Sequence, residues 1–318
     1  MSTSALPNFF IVGAGKAGTT SLYSYLRQHP DIYMSPVKEP CYFATEIRAE
    51  VMARSVQQHV ALQSRELLRV LGDSVPVKPH GWIAAQWEDY ERLFQGVRGE
   101  KAIGEASAAY LWSKTAAANI RACVPDAKII MILRDPAERA YSQYLHQVSV
   151  GLTGSTFRTH LEACPGGTGC KLSPTYPFLE IGLYSTQVER FLTCFPREHI
   201  RIYWYEESWR QPAQMLADAF NFLAVDADFA PDFSHRDHER RVPKARTLHY
   251  LLKKSALWDP LKALLPSGAV GSLRQAAFAN GGAVSMDPED RRYLIDYYRD
   301  DIRQLELLLG RDLGAWLR

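Results

Sequence analysis

Residues 9–20 read Phe9-Phe10-Ile11-Val12-Gly13-Ala14-Gly15-Lys16-Ala17-Gly18-Thr19-Thr20. Four apolar residues bounded by glycine have the length and composition of a strand buried on both faces. The glycines that follow allow a tight turn, and the hydroxyl run from Thr19 opens a helix. A helix start presents unpaired backbone N–H groups and the positive end of its dipole, and Lys16 adds a charge at the same place. Strand, turn and helix start therefore predict a site for a phosphate or sulfate group. Residue order narrows the reading. A nucleoside-triphosphate loop places Gly-Lys-Ser/Thr after four residues. Here Lys16 precedes Gly18, and the hydroxyl pair follows it.

Outward from this loop, strands and helices alternate. Extended pieces are expected at Asp31 to Met34, Ala102 to Glu105, Lys128 to Leu133 and Ile200 to Tyr205. Helices are expected at Thr19 to Gln28, 45 to 71, Trp87 to Phe94, Ala137 to about Val150, Tyr184 to Phe195, Ala213 to Leu223 and Pro288 to Leu309. Residues 151–180 carry much Gly, Pro, Ser and Thr and read as a loop insertion. The alternation predicts an α/β fold: a single domain over 1–318, with a central parallel sheet flanked by helices. In such sheets ligands gather at the C-terminal strand ends. Gly13 to Thr20, Glu105 to Ser107 and Arg134 all fall there.

Bulk composition narrows the function classes. With 47% hydrophobic and 23% charged residues over 318, the chain has ordinary globular composition and ample length for a core. A net charge of +2 gives no global field for nucleic acid or a membrane surface. No apolar run reaches the roughly 20 residues of a membrane span. Met1 to Asn8 lacks a basic region followed by an apolar core, so no signal peptide is expected and the cytoplasm is the expected location. Five scattered cysteines do not form a secreted disulfide framework. Cys164 and Cys170 bracket a short glycine-rich loop and read as two free thiols or a local disulfide. The histidines show no ligand spacing, so no metal is expected; His29 and His146 read as packing or cap residues.

A second segment joins the first. Residues 128–145, Lys-Ile-Ile-Met-Ile-Leu-Arg-Asp-Pro-Ala-Glu-Arg-Ala-Tyr-Ser-Gln-Tyr-Leu, deliver Arg134 at a strand end and Ser142 eight residues later on a helix. An arginine so placed suits a phosphate fork. Read alone, Arg134-Asp135 is equally an ion pair at a helix start. Together with the Lys16-x-Gly18-Thr19-Thr20 order, this segment resembles the sulfotransferases that use 3′-phosphoadenosine 5′-phosphosulfate (PAPS). His29-Pro30, Lys38 to Phe43, Glu180 to Tyr205 and Asp287 to Leu317 resemble that family too, so the likeness covers most of the chain. It is closest to bacterial and heparan-sulfate-type carbohydrate sulfotransferases.

The resemblance implies PAPS as sulfuryl donor. Gly15, Lys16, Ala17, Gly18, Thr19 and Thr20 would hold the 5′-phosphosulfate, and Arg134 and Ser142 the 3′-phosphate. Glu39, just before Pro40-Cys41-Tyr42-Phe43, matches the glutamate that activates the acceptor in related glycan enzymes, and Lys38 would orient it or hold the sulfate. Lys16 and Glu39 are thus the expected catalytic pair, and Lys38, Glu105 and Ser107 the expected acceptor contacts. Many relatives carry a lysine where this chain has Ala106. Relatives also close over the donor with a basic loop, whereas residues 278–286 hold neither Lys nor Arg. Arg274 or the basic stretch Arg236 to Arg246 would take that part. The expected acceptor is a glycan or other small molecule, met by the variable segments 44–95, 151–180 and 233–285. Trp82, Trp87, Trp112 and Tyr176 supply rings for sugar stacking or for the core. Two other readings stand beside this one: a kinase using ATP and Mg²⁺, and a non-catalytic nucleotide-binding protein.

Overall fold

The computed structural model describes residues 5–47, 86–163, 178–234, 242–243, 247, 250, 278–279 and 285–318. Two compact units share the chain. The first comprises Met1–Asp135, Leu183–Asp237 and Asp301–Asp312; the second comprises Pro136–Gly182, His238–Asp300 and Leu313–Arg318. Neither is one contiguous stretch of sequence.

The first unit is built on five parallel strands: β1 (Phe9–Gly13), β2 (Ile32–Met34), β3 (Ala102–Ala106), β4 (Lys128–Leu133) and β5 (Ile200–Trp204), in the order β2-β3-β1-β4-β5. The expected α/β class with a central parallel sheet is what the chain forms. Phe9 to Val12 have no exposed surface, because β1 is the central strand and is covered on both faces. β3 passes the glycine of its Ala-Ile-Gly-Glu-Ala run beside that strand. A Cβ on Gly104 would lie 2.1 Å from the ring of Phe9, so the missing side chain is what lets the ring pack there. β5, at the sheet edge, keeps Arg201, Ile202 and Trp204 half-buried.

Helices of the first unit are α1 (Thr19–Leu26), α2 (Trp87–Arg92), α3 (Ala116–Cys123), α6 (Tyr184–Cys194), α7 (Tyr205–Ser208) and α8 (Pro212–Leu223). α1 packs on β1, β2, β3 and α8; α3 packs on α6; α7 and α8 pack on β5. His29, just past α1, behaves as a packing and cap residue. Its Nδ1 accepts from the Asp31 N–H (3.0 Å), its Nε2 meets the Asp226 carbonyl (2.9 Å), and its ring lies between Phe220 and Phe229.

α4 (Pro136–Ser149) and α5 (Phe157–Glu162) belong to the second unit; α9 (Pro288–Leu309) divides between the units after Asp300. Within the expected 151–180 insertion, Phe157–Glu162 form the helix α5, while residues 164–177 lie outside the described residues. Thr156 caps α5, its side chain accepting from the Thr159 N–H (3.2 Å), and Phe157 buries against Tyr141 and Tyr144. Arg139 of α4 has no exposed surface and donates to the Gln143 side chain and the Phe178 carbonyl. Arg158 of α5 pairs with Asp290 of α9 (2.7 Å). Among the described residues, no helix is long and apolar enough to cross a membrane.

Candidate active site

β1 ends at Gly13, and the chain leaves it through a turn fixed at both sides. The Ala14 N–H donates to the Ile132 carbonyl of β4 (2.7 Å), and the Ala17 N–H donates back to the Ala14 carbonyl (3.1 Å). Lys16 at φ 69° and Gly18 at φ 87° both take the left-handed conformation. Gly18 is the N-cap of α1, and no side chain caps that helix. The first-turn N–H groups of Thr19, Thr20 and Ser21 lie too near the helix start for intrahelical acceptors, so they face outward along the dipole. That arrangement fits a phosphate or sulfate: a backbone cradle with a lysine in the turn.

Trp209, one residue past α7, covers the loop. A Cβ on Gly18 would lie 2.4 Å from its indole nitrogen. Arg134, buried at the end of β4, donates from Nη1 to the Lys16 carbonyl (3.1 Å), and its guanidinium lies 4.4 Å from the ring centre of Tyr205. Glu206 beside Tyr205 accepts from the Asp135 N–H (3.0 Å). In this structure Arg134 thus pins the turn that carries Lys16. Ser142 is half-buried on α4 in the second unit.

Glu39 lies on the loop after β2, and that loop is fastened to the end of β3. Its N–H donates to the Ala106 carbonyl (2.8 Å), and its Oε2 accepts from the Ala108 N–H (2.8 Å). Its Oε1 pairs with the buried Lys38 ammonium. Glu39 and Cys41 adopt φ 63° and φ 53°, left-handed conformations that side chains rarely take. β3 is the sheet neighbour of β1, so Glu39 and the Lys16 turn occupy adjacent strand ends.

Glu105 and Ser107, expected as acceptor contacts, lie inside the protein. Both have no exposed surface. Glu105 accepts from the hydroxyls of Tyr110 (2.7 Å), Ser107 (2.8 Å) and Tyr90 (3.0 Å), so its side chain is spent inside the protein. Burial pushes its carboxyl up to about 7; the three hydroxyls oppose that rise and the charge of Glu39 adds to it. Trp87 is half-buried with its ring 5.5 Å from that of Tyr42, while Trp82, Tyr176, Cys164, Cys170 and Arg274 lie outside the described residues. Tyr205 was open to the strand-end argument, since it directly follows β5. Trp209 carries no local signal of its role.

Together, fold and loop define an α/β protein whose central strand ends in a lysine-bearing turn and an uncapped helix start, a geometry that fits a phosphate or sulfate group. Comparison with known proteins sharpens that class. Residues 7–167 match the model of the sulfotransferase family. A sulfotransferase of known crystal structure from Alicyclobacillus acidocaldarius is 31% identical and superposes with a TM-score of 0.70, covering 99% of this chain and 100% of that one. Carbohydrate sulfotransferase 15 of Mus musculus is 29% identical over 254 residues, 69% of this chain and 44% of that protein. The bifunctional heparan sulfate N-deacetylase/N-sulfotransferase 4 of Mus musculus is 28% identical over 98% of this chain and 31% of its own length. The chain spans less than half the length of these two curated relatives. It belongs to the sulfotransferase family.

Proposed function

We propose that this chain transfers a sulfuryl group from PAPS to a hydroxyl or amine of a carbohydrate or other small metabolite. The observation that carries this reading is the uncapped α1 start behind the Lys16 turn, with the Glu39 carboxylate at the adjacent strand end. The donor supplies an activated S–O bond. Transfer breaks that bond at the 5′-phosphate oxygen and makes one to the acceptor atom, releasing 3′,5′-ADP. Lys16 and the first-turn amides meet the charge that grows on the departing oxygen, and being preorganised they need no rearrangement to do so. Glu39 takes the acceptor proton. Each of its oxygens already accepts one hydrogen bond, which aims the carboxylate and leaves a lone pair for that proton. Arg134 keeps the Lys16 turn in place and offers its guanidinium to the 3′-phosphate. The names of the curated relatives and the Tyr42–Trp87 ring pair beside the Glu39 loop both favour a sugar acceptor.

Lys16→Ala tests the reading. Turnover should fall about 100-fold or more, the scale of losing one preorganised donor to a developing oxyanion. The melting temperature should hold, because Lys16 is a half-buried turn residue. Unchanged turnover would remove Lys16 from the chemistry.

A further inference from the structure

Glu105 does more than fill the core under the acceptor side. Three backbone N–H groups of the loop carrying Glu39 are held by β3 and the turn after it, at alternate residues. The Glu39 N–H donates to the Ala106 carbonyl (2.8 Å), the Cys41 N–H to the Ser107 hydroxyl (3.0 Å) and the Phe43 N–H to the Tyr110 hydroxyl (3.3 Å). The two hydroxyls then donate onward, and both end on one carboxylate: Ser107 on Glu105 Oε2 and Tyr110 on Glu105 Oε1. Tyr90 of α2 adds a third hydroxyl at Oε1 (3.0 Å). The same corner turns directly to Glu39, for the Ala108 N–H beside Ser107 donates to its Oε2 (2.8 Å).

We infer that Glu105 is a positioning residue for sulfuryl transfer: through the Ser107 and Tyr110 hydroxyls it fixes the loop that presents Glu39 to the acceptor. This rests on the reading of Glu39 as the base. A buried carboxylate is expensive unless hydrogen-bonded, and this one is bonded three times, always to hydroxyls that face or brace the Glu39 loop. The network also answers a local problem. Glu39 and Cys41 both sit in left-handed conformations, which persist only where the surroundings over-determine them. The anchors at 39, 41 and 43 do that, and two of the three depend on Glu105. A glutamine at 105 presents one oxygen instead of two, so one relay must lose its acceptor. The groups facing Glu105 are Tyr90 from α2, Ser107 and Tyr110 from the β3 end, and Glu39 and Cys41 from the loop, so its influence runs toward Glu39.

The test is a double-mutant cycle on Glu39→Gln and Glu105→Gln in the full chain. The readouts are 3′,5′-ADP release from PAPS, first with water and then with a chitosan oligosaccharide as acceptor, and 3′,5′-ADP affinity by calorimetry. Glu105→Gln should lower kcat roughly 10- to 100-fold, the cost of a misplaced catalytic group. Affinity for 3′,5′-ADP should stay within about twofold, since the Lys16 turn lies on another strand. In the Glu39→Gln background the second change should cost almost nothing more, because a residue acting through Glu39 has nothing left to act on. Additive losses, or an unchanged rate in Glu105→Gln, would overturn the role given to Glu105 and leave the base assignment standing. An unchanged rate in Glu39→Gln would overturn the base assignment itself. If Glu105→Gln does not fold, Ser107→Ala and Tyr110→Phe each cut one relay, and each should show a smaller kcat loss, again absent in the Glu39→Gln background.

Discussion

At Gly18 two constraints fall on one residue. Its φ of 87° is a conformation that costs an L-residue about 1–2 kcal/mol, and the space where a Cβ would go is filled by the Trp209 indole. The glycine was legible in the sequence as part of a turn; the tryptophan that presses on it was not, because nothing local links two residues so far apart in the chain. Gly18→Ala should therefore lower the melting temperature by several degrees and weaken 3′,5′-ADP binding, as the turn shifts to make room. In a Trp209→Ala background the same change should cost only the backbone part. Equal losses in both backgrounds would show that the indole is not what the methyl meets. Glu105 and Ser107 teach the converse lesson at this scale. Their place at a strand end was readable, but the same strand-end position serves a ligand or a buried hydrogen-bond hub. The tyrosines that decide between these come from α2 and from the turn after β3.

Among the elements, β1, β4 and α9 stood out because their apolar runs or their length exceed what a loop tolerates. α3 did not, since Ala116, Ala117 and Ile120 form a buried face too small to give a strong periodic signal. Its cue was the Ser113 hydroxyl, which accepts from the Ala116 N–H (3.0 Å). α5 was hidden by the glycine- and threonine-rich stretch around it, although Thr156 is an ordinary cap. α5 also carries His160, a buried imidazole packed against Phe178 (4.6 Å between ring centres) and Tyr144. Burial lowers its pKa to about 4 from the usual 6.5, so folding disfavours its protonation. The stabilisation from keeping it neutral is complete above about 6.5 and is lost as pH falls through 4. It amounts to roughly 3 kcal/mol across that window. His160→Phe should flatten the dependence of melting temperature on pH between 7 and 4, and an unchanged acid slope would exclude His160 as its source.

On the scale of the whole molecule, the parallel order β2-β3-β1-β4-β5 gathers the Lys16 turn, the Glu39 corner and Arg134 at the C-terminal ends of three neighbouring strands. That convergence was legible because strand ends are set by alternation of elements rather than by detail. Acceptor choice was not, since the segments expected to shape it carry no fixed pattern. On the function proposed above, the cradle after β1 takes the 3′-phosphoadenosine donor rather than a magnesium nucleotide. The direct measurement is thermal stabilisation by 3′,5′-ADP without added metal, set against ATP with Mg²⁺. Ligand at about 100 times its Kd adds roughly 2.7 kcal/mol to the folded state, enough to raise the melting temperature by a few degrees. A 3′-phosphoadenosine site gives that rise with 3′,5′-ADP and none with ATP and Mg²⁺. A rise with ATP and Mg²⁺ alone would contradict it.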